Sequence, residues 1–163
     1  MQLTKLGEDI AKSSGIIKTQ YISGLLDGTV DITQLVVKPV CYEAVAYVVY
    51  LSGLFSLETI HNTSGKGWIP MFKFLSGPQW DGQNLPIGAA IGFYSIEQGT
   101  FFHSAISLGK NTTTIRSVNG GRLGQTWLQP VDIHPILGLP SPDGAFNYDG
   151  GTIRVYRSAL QGG

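Results

Sequence analysis

The segment VCYEAVAYVVYL, residues 40–51, decides the fold because it is almost wholly apolar and carries a single charge, at Glu43. It is long for a strand, Pro39 precedes it and Ser52-Gly53 follows it. Proline is favoured in the first turn of a helix, and glycine commonly follows the last turn. The segment therefore predicts a largely buried helix over residues 39–52. Its β-branched and aromatic content leaves a strand as the alternative.

The flanking sequence predicts an α+β fold. Leu3, Leu6 and Ile10 have helical spacing and indicate a short amphipathic helix near the start of the chain. Strand-like runs follow in the second half, with a hairpin connection at residues 109–111. These runs cover residues 89–94, 101–108, 112–118 and 152–156. Because helices precede an antiparallel meander, we expect a single domain over residues 1–163, with residues 120–150 mostly in loops.

Composition excludes several classes of protein. The chain has 11 basic and 11 acidic residues, 13% charged residues and one cysteine. A single cysteine excludes a disulfide scaffold and a cysteine-rich zinc module. A balanced charge argues against electrostatic binding of nucleic acid, and no apolar stretch is long enough to span a membrane. Residues 1–9 lack the pattern of a signal peptide, so we expect synthesis in the cytoplasm.

The single cysteine, Cys41, falls in the first turn of the predicted helix. Unpaired N–H groups and the helix dipole at that position stabilise a thiolate. The same N–H groups can hold an oxyanion. A lone cysteine is otherwise a small buried apolar residue, so the position is what makes Cys41 a candidate nucleophile.

Among the three histidines, His103 is the best candidate for a general base. It opens the run HSAISLG, which alternates as a half-buried strand, and such a strand holds a side chain rigidly. His61 and His134 have the sequence context of ordinary surface residues.

Asn119 closes the next strand-like run and is the candidate for the side chain that orients the imidazole. It lies 16 residues after His103 and is followed by two glycines, so its alternative role is in a turn. Asp132 is the other candidate for the orienting residue.

The order of a cysteine at a helix start, a histidine opening a strand and then Asn or Asp resembles the papain-like superfamily of cysteine hydrolases. LPIGAAIGFYS, followed by FFHSAISLG, resembles the NlpC-type peptidoglycan amidases and related bacterial effector toxins. The resemblance covers roughly residues 39–120. It implies N-terminal helices packed on an antiparallel sheet and a Cys41–His103–Asn119 active site, with no metal and no cofactor.

The resemblance also implies a substrate class and a setting. The expected activity is amide hydrolysis of a peptidoglycan stem peptide by a secreted effector, or deamidation or cleavage of a host protein. Such an effector is exported by a specialised system and has an immunity or chaperone protein as a partner. Tyr42, Trp68 and Trp80 are candidate walls of the substrate cleft, or alternatively core aromatics.

Two other classes of function compete with the hydrolase. The glycine-rich, weakly charged second half is also compatible with a ligand-binding module in which Cys41 is structural. A histidine-based metal enzyme is disfavoured because the chain has no HExxH or similar close pairing.

Overall fold

The protein consists of short helices followed by an antiparallel sheet, as the α+β prediction states. The computed structural model describes residues 1–160. The helices are α1 (Lys5–Ala11), α2 (Gly15–Asp27), α3 (Cys41–Leu51), α4 (Leu57–Asn62), α5 (Ile69–Phe72) and α6 (His134–Leu137). Short 3-10 helices cover Ile32–Gln34, Gly65–Trp68, Phe74–Ser76 and Gly121–Leu123.

The strands form one curled sheet in the order β4-β3-β2-β1-β6-β5, with every neighbouring pair antiparallel. They are β1 (Ile87–Ser95), β2 (Thr100–Leu108), β3 (Thr114–Arg116), β4 (Val131–Asp132), β5 (Phe146–Tyr148) and β6 (Gly151–Arg157). The long hairpin of β1 and β2 occupies the centre, and the pairing of β1 with β6 brings the end of the chain beside it.

Helix α3 is the most enclosed element of the fold. All eleven of its residues are buried, which explains why the sequence is apolar around the whole helix and not along one stripe. The helix begins at Cys41 with Val40 as N-cap. Pro39 therefore precedes the helix, whereas the sequence predicts it in the first turn.

Two tyrosines of α3 attach the first helix through their hydroxyl groups. Tyr47 donates to the carbonyl of Gly7 at 2.7 Å, and Tyr50 donates to that of Ala11 at 2.6 Å. A buried tyrosine hydroxyl needs a partner, and both find one in the carbonyls of α1. The aromatic residues that left a strand possible at the sequence level are therefore contact residues between helices.

The sheet separates two apolar clusters. One contains α3 and the other helices, packed on sheet residues such as Ala90 and Ile106. The other lies on the opposite face, around Ile91, Phe93 and Val155. His103 follows this second face, because its ring stacks on Phe93 with centroids 5.5 Å apart.

Several local predictions differ from the structure. The predicted strand over residues 112–118 is shorter, since β3 covers only Thr114–Arg116. Residues 120–150 lie mostly outside helices and strands, as predicted, although the segment also contains β4, α6 and β5. Helix α2 was not predicted, because Gly15 and Gly24 lie within its bounds and glycine disfavours helix.

Within residues 1–160, no helix is both long and apolar enough to cross a membrane.

We predict that Gly92→Ala destabilises the fold by about 1–3 kcal/mol, the usual cost of overpacking a core. A Cβ atom at Gly92 would lie 2.6 Å from Cδ2 of the fully buried Phe74, so the ring would have to move. Thermal unfolding measures the effect. Gly15→Ala is the matched control, because a Cβ atom there meets nothing within 4 Å. Equal melting temperatures for the two variants would contradict the packing at Gly92.

Candidate active site

Cys41 lies at the first position of α3, in a helix terminus that a carboxylate caps. The Glu43 side chain accepts the N–H of Val40 at 3.1 Å through one oxygen and the N–H of Gly65 at 3.2 Å through the other. The N–H groups of Cys41 and Tyr42 precede the first N–H that bonds within the helix, so they remain available at its N-terminus. The Cys41 side chain is 7% exposed.

Opposing effects act on the Cys41 thiol. Burial raises its pKa, while hydrogen bonds from main-chain groups of Ser104, Tyr42 and Cys41 itself act in the opposite direction. A main-chain hydrogen bond that lowers the pKa of an acid comes from an N–H donor, because the donor stabilises the anion. Burial has the larger effect, so the thiol is protonated at neutral pH. Main-chain groups of both a helix and a strand nevertheless act to lower this pKa.

The Ser104 main chain on β2 can act on the Cys41 thiol because β3, the neighbouring strand, is short. Its pairing with β2 ends at Arg116, opposite Ile106, so the ladder does not reach Ser104. Ser117 instead donates its hydroxyl to the Ser104 carbonyl at 2.6 Å. The Ser104 main chain therefore lies beyond the β2–β3 ladder, and it acts to lower the pKa of the Cys41 thiol.

A β-bulge sets the orientation of His103. Phe93 pairs with His103 and Tyr94 pairs with Phe101, which leaves Phe102 as the extra residue on β2. A bulge changes the direction in which the neighbouring side chains point. His103 is 2% exposed, whereas Phe102 is 36% exposed.

The His103 imidazole is held on three sides. Phe93 stacks on one face at an interplanar angle of 30°, and Nε2 lies 2.9 Å from the carbonyl oxygen of Leu123. Gly120 lies so close to the ring that a Cβ atom there would be 2.1 Å from Cε1. Only glycine permits this approach, so Gly120 is part of the site.

The hydrogen bond to Leu123 determines the tautomer of His103. A carbonyl oxygen only accepts, so Nε2 carries the proton and Nδ1 has the free lone pair. Burial lowers the pKa of His103 to about 4, against the smaller opposing effect of the Leu123 carbonyl. The imidazole is therefore neutral at pH values where most proteins work, and it can accept a proton at Nδ1.

Two connections bring the Cys41 and His103 segments together. Ser104, whose main chain bonds the thiol, directly follows His103. Asn119 donates its side-chain N–H to the carbonyl of Pro39 at 3.1 Å, and the adjacent Gly120 packs on the His103 ring. Within residues 1–160, however, no hydrogen bond joins Cys41 directly to His103.

The orienting partner of His103 differs from the expectation. Asn119 has a positive φ of 58° and bonds Pro39, so it links the site to the start of α3 and does not contact the imidazole nitrogen. Asp132 is occupied elsewhere, because its carboxylate accepts from the Thr113 hydroxyl and the His134 N–H. The carbonyl of Leu123 takes the position that the sequence analysis assigned to a side chain.

The three candidate cleft aromatics are buried. Trp68 is 0% exposed and packs on Phe55 and Phe72, while Trp80 is 6% exposed and stacks on Phe146. Both are core residues, which corrects their assignment as cleft walls. Tyr42 is 4% exposed; burial raises the pKa of its hydroxyl, and a charge on Cys41 would raise it further.

Two hydroxyl groups near Cys41 are buried without a partner in the described part of the chain. They belong to Tyr42 and Ser104. An unsatisfied buried hydroxyl is costly, and such groups mark places where a ligand or water completes the hydrogen bonding. Both residues also contribute main-chain groups to the thiol, so the polar surroundings of Cys41 are only partly satisfied.

A surface cavity of about 410 Å³ adjoins the start of α3. Its lining includes Lys38, Pro39 and Asn119. Among residues 1–160, no three His, Cys, Asp or Glu side chains are grouped so that they could hold a metal ion.

Neither the models of known protein families nor the curated proteins match this sequence. Function is therefore inferred from the geometry of the Cys41 and His103 region.

We predict that burial of neutral His103 makes stability depend on pH. The pKa of His103 is about 4 in the fold, below its ordinary 6.5, so the unfolded chain binds a proton more readily. Stability from this group is fully present above about pH 6.5 and decreases as the pH falls towards 4, by up to about 3 kcal/mol.

The free energy of unfolding in urea is measured across this pH range for the unmodified protein and for His103→Gln. The difference between the two gives the contribution of His103. The exposed His134 is the matched control, and His134→Gln should keep the pH dependence of the unmodified chain. The same dependence in His103→Gln would show that His103 is not buried in its neutral form.

Proposed function

We propose that the protein is a cysteine-dependent amide hydrolase of the papain-like, NlpC-like type. The observation that carries the proposal is the position of Cys41 at the N-terminus of α3, where the first N–H groups have no partner within the helix. His103, the residue before Ser104, is a neutral imidazole whose proton is fixed on Nε2 by the Leu123 carbonyl. A thiol, a base with its acceptor nitrogen free and preorganised N–H donors are the parts that acyl transfer requires.

In the proposed mechanism, His103 acts as a general base on the protonated thiol. A resting thiolate–imidazolium pair does not suit this site, because the pKa of Cys41 is raised and that of His103 is lowered. This mechanism requires the His103 imidazole, which stacks on Phe93 on the face of the sheet opposite α3, to reach the thiol. Nδ1 then removes the thiol proton as sulfur attacks the carbonyl carbon. The Leu123 carbonyl then stabilises the imidazolium through its bond to Nε2.

The tetrahedral intermediate carries a negative oxygen that needs donors. The candidates are the N–H groups of Cys41 and Tyr42 at the start of α3 and that of Ser104, whose main chains act to lower the pKa of the thiol. The imidazolium returns its proton to the leaving amine, which gives a thioester on Cys41. Water, activated by the same imidazole, cleaves the thioester and restores the free thiol.

The proposed substrate is a peptidoglycan stem peptide, which an exported effector would meet in the cell wall. With 13% charged residues and a net charge of zero, the protein suits a substrate held by shape and by backbone hydrogen bonds.

A specific observation also favours a second candidate function, a ligand-binding module with a structural cysteine. Cys41 is only 7% exposed, and burial raises its pKa, as is typical of an unreactive core thiol. The two functions differ in whether His103 affects the reactivity of Cys41.

We predict that iodoacetamide alkylates Cys41 faster in the unmodified protein than in His103→Gln at neutral pH. His103 accepts the thiol proton, and the amide of glutamine does not. The measurement is the rate of adduct formation by intact-protein mass spectrometry, with His61→Gln as a control for loss of a histidine elsewhere. Equal rates in the protein and in His103→Gln would favour the structural cysteine.

We predict that the protein releases muropeptides from purified peptidoglycan. Cys41→Ala and His103→Gln should each lower the rate of release by about a thousandfold or more, because the nucleophile and base act as a unit. Chromatography of the soluble fragments measures the release. If no wall type yields fragments, or if Cys41→Ala retains the rate, peptidoglycan hydrolysis through Cys41 is wrong.

A further inference from the structure

Two adjoining cavities lie at the end of the sheet where β5 and β6 meet. Their volumes are about 440 and 390 Å³. They share the lining residues Glu97, Tyr148, Asp149 and Thr152, so they lie side by side. We call the two together the Arg122 cleft, after the cation in its lining, and define it by Glu97, Phe102, Arg122, Tyr148, Asp149 and Thr152.

The cleft contains a pair of nearly parallel aromatic rings. Phe102 and Tyr148 stack with centroids 6.2 Å apart and an interplanar angle of 13°. Phe102 is the bulged residue of β2, and at 36% exposure it presents its ring partly to solvent. A large apolar ring held at the surface by a bulge provides a stacking surface for an apolar or planar group.

The floor of the cleft is rigid. Glu97 accepts the N–H of Thr152 and its hydroxyl at 2.6 and 2.9 Å. The turn between β5 and β6 has Asp149 and Gly150 at φ of 52° and 77°, as expected for a tight Asp-Gly hairpin. Both oxygens of Glu97 are engaged by Thr152, so this carboxylate is already partly satisfied.

Arg122 is the unpaired cation of the cleft. Its guanidinium lies 5.8 Å from the Tyr148 ring centroid. Within residues 1–160 it forms neither an ion pair nor a hydrogen bond. By contrast, Arg116 donates to two carbonyls, and Arg154 donates to Asp143 and Gln79. Arg122 therefore keeps its donors available beside an aromatic wall, and a guanidinium matches a carboxylate in two-point geometry.

We propose that the Arg122 cleft binds the carboxylate of a peptide whose neighbouring apolar group packs on Phe102 and Tyr148. The cleft is connected to the candidate active site through the chain, since Phe102 precedes His103 and Arg122 precedes Leu123. A role for the cleft as a substrate subsite rests on the proposed function. Binding of a carboxylate in the cleft does not depend on that function.

The test uses the full chain with Cys41→Ala, so that binding is measured without turnover. The probes are N-acetylphenylalanine and its neutral amide, titrated by calorimetry and by NMR of the arginine side chains. We expect the acid to bind about tenfold more tightly than the amide, the factor for one charge-assisted interaction. In Arg122→Gln this preference should disappear, and in Arg122→Lys part of it should remain.

Lys18→Gln is the matched control, because Lys18 also lies over a tyrosine ring, that of Tyr50 at 5.1 Å, but outside the cleft. It should leave the preference for the acid unchanged. A third probe, phenethylamine, tests the opposite charge, since Glu97 and Asp149 also line the cleft. Equal binding of acid and amide, a preference that survives Arg122→Gln, or tighter binding of phenethylamine would each overturn the proposal.

The source of the carboxylate is tested with N-acetylglutamic acid α-amide, which carries it on a side chain. Binding comparable to that of N-acetylphenylalanine would assign the site to acidic side chains, and weaker binding would assign it to peptide C-termini. Either result keeps the carboxylate site. Because the Cys41→Ala protein is inactive in the proposed chemistry, loss of carboxylate binding and failure of the hydrolase function are observed separately.

Discussion

The enclosure of helix α3 is the constraint on which the rest of the structure depends. All of its residues are buried, so other elements must cover every side of it. Helix α1 covers one side and accepts the hydroxyls of Tyr47 and Tyr50, while β1 and β2 cover another. Because the helix is fixed on all sides, its first residue, Cys41, has a fixed position relative to β2.

The same enclosure explains the chemistry available at Cys41. Burial keeps the thiol protonated, and burial also keeps His103 neutral. A proton transfer between two neutral groups suits such a site better than a permanent ion pair, since a buried charge is costly. In the proposed reaction, main-chain N–H groups near the sulfur and the Leu123 carbonyl on the imidazole reduce that cost when charge develops.

The sequence was informative where long patterned runs exist. The apolar segment of α3 and the alternating run of β2 predict the helix, the central strands and the positions of Cys41 and His103. Predictions from single residue types were weaker. Trp68 and Trp80 are core residues, because an irregular segment can bury an aromatic as well as expose it. The Leu123 carbonyl was not predictable, since a main-chain acceptor has no residue signature, although the Asn-Gly-Gly sequence at 119–121 marks the nearby turn.

The measurement that most directly tests the account is mass spectrometry of an acyl-enzyme. The protein is mixed with a peptidoglycan stem peptide, quenched in acid and digested. The account predicts an acyl group on Cys41 that hydroxylamine removes, and its accumulation should slow when His103 is replaced by glutamine. Product formation with no acyl group on Cys41, or an acyl group that forms equally fast without His103, would contradict it.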